Sequence, residues 1–170
     1  MTTGDIPKGT PSAALSAAAT DAARLIIHAR RAALATLDRT SGHPYVSLVT
    51  IATGADGTPT MLLSRLAKHT QNLETNPRTS LLFEPANPTV GDPLAIARVT
   101  VMGQASPTAS PTARAKFLSH HPDADMYASF GDFAFYTLAP QSAHFIGGFG
   151  RIIEIPGPVL TAAVLAATSS

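Results

Sequence analysis

Cysteine is absent from the 170-residue chain. That removes disulfide staples, thiolate metal sites and cysteine nucleophiles together, and agrees with a reducing compartment. Charge is scarce as well. Charged residues make up 14%, with 12 Lys and Arg against 11 Asp and Glu, scattered rather than clustered. The basic face of a nucleic-acid binder is therefore not expected. No apolar run approaches the roughly 20 residues of a bilayer span, and the first 20 residues lack the basic-then-apolar order of a secretory leader. A cytoplasmic protein without nucleic-acid or membrane partners is the expectation. The six histidines include no pair at the i, i+4 spacing of a helical metal site, so no metal centre is expected. Nor does any serine lie in a G-x-S-x-G elbow. No internal repeat is visible.

Against these absences stands a hydrophobic content of 45%, enough for a single core at this length. Residues 1–19, rich in Thr, Gly, Pro, Ser and Ala, read as a flexible arm. Thr20 is a plausible cap for a helix running to Arg31. Strands follow at residues 33–37, 44–53 and 60–64, separated by turns at 38–42 and 54–57. A short helix over 67–75 stops at Asn76-Pro77, because the residue before proline disfavours α geometry. Further strands are read at 78–83 and 97–105, with Gly103 marking a bulge or barrel corner. Ser110 and Pro111 open a helix to His120, and a second short helix covers 123–130. Two last strands, 133–138 and 143–155, are joined at a Pro140 turn. Beyond the Pro156-Gly157-Pro158 break, residues 156–170 form an Ala-rich tail, expected to be helical and to pack on a partner. Many short strands with few helices predict a mainly β fold, a β-barrel with flanking helices, over residues 20–155.

The segment most suggestive of chemistry is Ser64 to Leu73. There a strand end meets a helix start carrying Lys68, His69 and Thr70. Unpaired amide N–H groups and the helix dipole stabilise an anion at such a point, and an ammonium and an imidazole add to it. A solvated basic helix start is the plainer alternative. Gly147, Gly148 and Gly150 lack the strand–helix context of a phosphate loop and read as a bulge or close backbone approach.

The run LSRLAKHTQNLETNPRTSLLF at residues 63–83 resembles the signature of the pyridoxamine 5′-phosphate oxidase-like FMN-binding split barrels, nearest their haem-utilisation (HugZ-type) branch. Segments at 35–38, 42–47, 97–100, 130–133 and 145–150 agree in order and spacing, so the resemblance spans about residues 25–155. It implies a homodimer with FMN at the subunit interface and an oxidoreductase activity on an unidentified substrate. Carried over by position, Ser47, Leu48, Val49 and Thr50 would run beside the flavin. Ser64, Lys68 and His69 would surround its phosphate, and Arg98 would reach it from a later strand. Two departures lower the positive charge: Ser47 replaces an arginine of the oxidases, and Lys68-His69 replaces Arg-Lys. The resemblance also implies two alternatives, a haem-binding or haem-degrading protein and a non-catalytic ligand-binding module. Relatives that bind haem take their iron ligand from a histidine near or beyond the C-terminal end, and here no histidine follows His144.

Overall fold

The computed structural model describes residues 12–86, 91–148 and 150–168. Helix α1 (Ala13–His28) opens the fold. It starts seven residues before Thr20 because Ser12, not Thr20, is the cap: its Oγ accepts from Leu15 N at 3.2 Å. The alanine-rich stretch then continues the helix at low entropic cost. Residues 12–19, read from sequence as part of an arm, thus lie in or beside α1, while residues 1–11 are outside the described residues. The helix ends at His28 rather than Arg31, where the chain turns extended into β1 (Arg31–Leu37).

Strand β2 (Pro44–Thr50) pairs with β1, whereas β3 (Ala52–Thr53) pairs with β4 (Pro59–Ser64). The single strand expected over 44–53 is therefore divided at Ile51, and this division shapes the fold. The sheet order is β2-β1-β5-β6-β7-β4-β3, with β5 (Arg78–Phe83), β6 (Arg98–Pro107) and β7 (Phe133–Ile146), and β8 (Ile152–Pro156) pairs with β7. Its two extreme strands are adjoining pieces of one chain segment. A twisted antiparallel sheet satisfies that connection only by curling round on itself, leaving a split between β2 and β4. The expected split barrel is what forms.

Strand β7 is continuous through Pro140, and no turn interrupts it. The register with β6 instead shifts between Met102 and Gly103, so that Gln141 bulges out of the ladder. A proline is tolerated at a bulge because the missing N–H has no ladder partner to lose. Gly103 is required opposite: a Cβ there would meet Ala139 O at 2.1 Å. The segment expected as one strand over 143–155 is a β7–β8 hairpin, and Gly148 and Gly150 make its turn with φ of 101° and 75°.

Alternation along the strands sets the inside. Leu34, Leu81, Phe83, Val99, Val101, Leu138 and Phe145 point inward with no exposure, and the small side chains Ala18, Ala19, Ala22 and Ala23 let α1 plug the barrel closely. Each large side chain buried this way contributes about 1.5–3 kcal/mol. The tail is helical, as expected, in α4 (Gly157–Thr168), but it packs on α1 and β7 of its own chain through Leu160 and Val164. A smaller cluster joins Phe135, Leu62 and Ala52 to Phe117 of α3 (Pro111–His120), whose cap Ser110 accepts from Ala113 N. Residues 122–126 form a 3₁₀ turn in place of the expected second helix.

The outer face of the sheet is bare. Val46, Ala35, Ser80 and Met102 form one row across four strands, and Leu48, Ala33, Leu82 and Thr100 form the next. Val46 and Leu48 are 63% and 67% exposed.

Candidate functional site: the barrel mouth and the sheet end

Helix α2 (Lys68–Thr75) sits at the end of the β1–β2 hairpin, held there by Asn72. This side chain is fully buried: its Nδ2 donates to Thr36 Oγ1 at 3.0 Å and its Oδ1 accepts from Arg39 N at 3.0 Å. The helix cap, Ala67, brings no side chain to its first turn. Lys68 and His69 begin the helix just after the end of β4, as the sequence led one to expect, and His69 reaches Ser47 of β2.

Their partners are not the expected ones. Lys68 Nζ lies 2.7 Å from Asp38 Oδ2 and 5.0 Å above the Tyr45 ring. Asp38 also accepts from the Thr40 and Ser41 amides and from Ser41 Oγ. Lys68 first, and these hydrogen bonds next, hold the Asp38 carboxyl far below the usual carboxylate range. It stays charged. His69 Nδ1 is hydrogen-bonded to Ser47 Oγ at 3.0 Å, and burial pushes the imidazole pKa down, so the ring is neutral at pH 7. Ser64 Oγ donates to Asp132 Oδ2 at 3.1 Å and accepts from Leu66 N.

Ser47, Lys68 and His69 are thus brought together, with Ser64 at the strand end that leads into the helix. Lys68 lines a cleft of about 380 Å³ together with Asp38, Arg39, Leu66 and Asn72, whereas Ser47, Ser64 and His69 are not among its walls. Of the four β2 residues expected beside a flavin, Ser47 and Val49 point inward while Leu48 and Thr50 face out. Arg98 is not brought to this cleft. It pairs with Ile146 at the opposite end of the strands, and its Nη1 donates to Leu94 O and Ile96 O at 3.2 Å. Asp38 was legible only as a turn residue, yet it decides the charge of the cleft. A phosphate here meets a carboxylate already bound to the ammonium, so the arrangement suits FMN poorly.

A second hollow lies at the far end of the sheet, where β1 begins. It measures about 340 Å³ and is lined by Ala29, Arg30, Arg31, Ala33, Leu48, Leu82, Glu84, Pro85 and Ala86 among others. A neighbouring hollow of about 240 Å³ shares Ala29, Glu84, Pro85 and Ala86 and adds Arg24, Leu25 and His28. The floor is apolar and continues the bare outer face. Among the described residues, the side chains of His28, Arg30 and Arg31 make no hydrogen bond or ion pair. Sequence reasoning missed this place because its walls come from a helix end, three strands and a loop. The only signal was three basic side chains within residues 28–31.

The other histidines are committed elsewhere, apart from His43 in the hairpin turn. His120 and His121 donate from Nε2 to Ala29 O and Ile51 O at 3.2 and 2.8 Å, which ties α3 to the β1 and β3 ends of the barrel. His144 pairs with Glu154 across β7 and β8. No cluster of three or more metal-binding side chains occurs among the described residues. No helix among them is long and apolar enough to cross a membrane.

Comparison with known proteins places this geometry. A curated relative, the chloroplastic haem oxygenase HOZ of Arabidopsis thaliana, is 35% identical over 112 residues, which are 63% of this chain and 33% of HOZ. The chain therefore spans about a third of that relative's length. A haem-binding protein from Mycobacterium smegmatis is similar in structure, with a TM-score of 0.75 and 34% identity over 91% of this chain and 62% of that one. HutZ, the haem storage protein of Vibrio cholerae, superposes with a TM-score of 0.58 at 26% identity, over 71% of this chain and 88% of its own. The resemblance to split barrels of the haem-utilisation branch holds. The family model described as CREG, beta-barrel matches residues 14–160, and the chain belongs to that family.

Proposed function

We propose that this protein binds haem as a homodimer of split barrels. The observation that carries the reading is the apolar hollow at the sheet end, open to the bare outer face. A flat tetrapyrrole needs apolar walls with a polar rim, and this hollow has both. Proteins 34–35% identical to this chain bear names that speak of haem binding or haem oxygenation, which supports the same reading. Bound haem would supply an iron centre whose reactivity is set by its axial ligand and by the polarity of the walls.

The dimer rests on the outer face. Rows of exposed Val46, Leu48, Leu82 and Met102, crossed by few charges, form a contiguous apolar strip of the kind that marks an interaction surface. A second copy of the chain is the occupant proposed for it.

FMN is the second reading, with the protein as an oxidoreductase on a small-molecule substrate. It is favoured by the Ser47–His69 contact next to Lys68 at the start of α2, with Ser64 on the strand that leads into the helix, and disfavoured by Asp38, which an incoming phosphate must displace. One experiment separates the readings. Purified chain is titrated with haemin and, separately, with FMN, while the absorbance spectrum and thermal midpoint are followed. A saturable Soret shift with a rise in midpoint supports haem, since a ligand bound by the native state stabilises it by mass action. Quenched flavin fluorescence and a rise with FMN alone would replace the first reading by the second. No response to either leaves a non-catalytic module for another ligand and removes both.

A further inference from the structure

We propose that His28 is the protein ligand of the haem iron and that Arg30 and Arg31 hold the haem carboxylates. This rests on the haem reading and gives it an address.

Six histidines are present. His69 is bonded to Ser47, His120 and His121 to backbone carbonyls, and His144 to Glu154. Of the two imidazoles left without a partner among the described residues, His43 lies in the exposed β1–β2 turn and does not line the cleft that this turn borders. His28 lines one. Neutral imidazole is a common metal ligand, and a ring with no other bond to break is ready for that role. His28 is also in the last turn of α1, where the carbonyl end of the helix dipole favours a neighbouring cation.

Two residues further along, the chain presents two guanidinium groups that have no partner among the described residues, beside a lining that is apolar apart from them and Glu84. Guanidinium binds carboxylate through paired, charge-assisted hydrogen bonds. Haem carries two carboxylates on one edge of an apolar disc, so its charges fit these two groups and its disc fits Leu48 and Leu82. Neither hollow alone is generous for a cofactor; one measures about 340 Å³ and its neighbour about 240 Å³, and they share four residues. Cofactor sites run from roughly 300 to 1,000 Å³, so the first hollow alone stands near the lower bound and the two joined stand well inside the range. Continuity with the outer face lets a partner subunit close the open side.

The test is haemin titration of the full chain, read by absorbance and by resonance Raman spectroscopy of the ferrous state. Wild type is expected to give a Soret shift and an iron–histidine stretch. His28→Gly should lose that stretch and regain an imidazole-ligated spectrum when free imidazole is added, a rescue that a purely structural role would not produce. Arg30→Gln combined with Arg31→Gln should weaken haem about 10- to 100-fold, the loss expected for charge-assisted hydrogen bonds. The dimethyl ester of haem, lacking carboxylates, should bind these variants and wild type equally. His43→Ala serves as the control and should match wild type. Wild-type binding with a stretch that survives in His28→Gly would overturn the assignment while leaving the haem reading intact. Failure of wild type to bind haemin would overturn both.

Discussion

Asn72 shows how much one buried amide can settle. It ties α2 to the β1–β2 hairpin through Thr36 and Arg39, so truncation leaves buried groups without partners. Asn72→Ala is expected to cost about 2–3 kcal/mol, read as a lower urea midpoint with an unchanged m value. Asp38 and His69 beside it make stability depend on acidity. The folded pKa of Asp38 is depressed, so its contribution is present above the ordinary carboxylate pKa of about 4 and fades as pH falls through the folded value. His69 and His121 are also depressed, both chiefly by burial. The unfolded chain takes up their protons first, so stability should decline as pH falls below about 6.5. Urea midpoints between pH 7.5 and 5 should fall for wild type and fall less for His69→Gln. Below about pH 4, Asp38→Asn should show the shallower loss. Equal slopes for variant and wild type would contradict the assignment.

Among the elements, the β6–β7 pair carries the tightest constraint. Gly103 faces the Ala139 carbonyl where the ladder slips, and a Cβ would lie 2.1 Å from that oxygen. Backbone cannot yield as a flexible side chain does. Gly103→Ala is therefore expected to destabilise by about 3 kcal/mol, whereas Gly131→Ala, where a Cβ meets nothing within 4 Å, should change little. Thermal midpoints of the two variants check this. Gly103 was legible in advance because glycine within a β-branched run signals a bulge. Pro140 was misread as a turn, since the bulge that accommodates it exists only once β7 lies against β6. The start of α1 was missed for a similar reason: helix-forming alanines looked like a polar arm until the barrel gave their small faces something to bury against.

At the level of the whole molecule, the exposed rows on the outer sheet face decide association. Leu48→Glu together with Val46→Glu should place charge on the strip and convert the proposed dimer into a folded monomer. Sedimentation equilibrium reads the mass and far-ultraviolet circular dichroism confirms the fold. A wild type that sediments as one chain at micromolar concentration would refute the interface.

Alternating apolar residues and turn glycines suffice, without any coordinates, to indicate a β-barrel with flanking helices, and the run around Lys68 carries the resemblance that makes it a split one. These are local patterns, each written in consecutive residues. The charge of the α2 cleft and the existence of the second hollow were beyond such reading. Asp38 meets Lys68, Arg31 shares a hollow with Leu82, and His28 shares one with Glu84, across gaps of 30 to 56 residues that only the curled sheet closes. Side-chain electrostatics and concavity belong to proximity in space, and proximity is settled by how the strands pair.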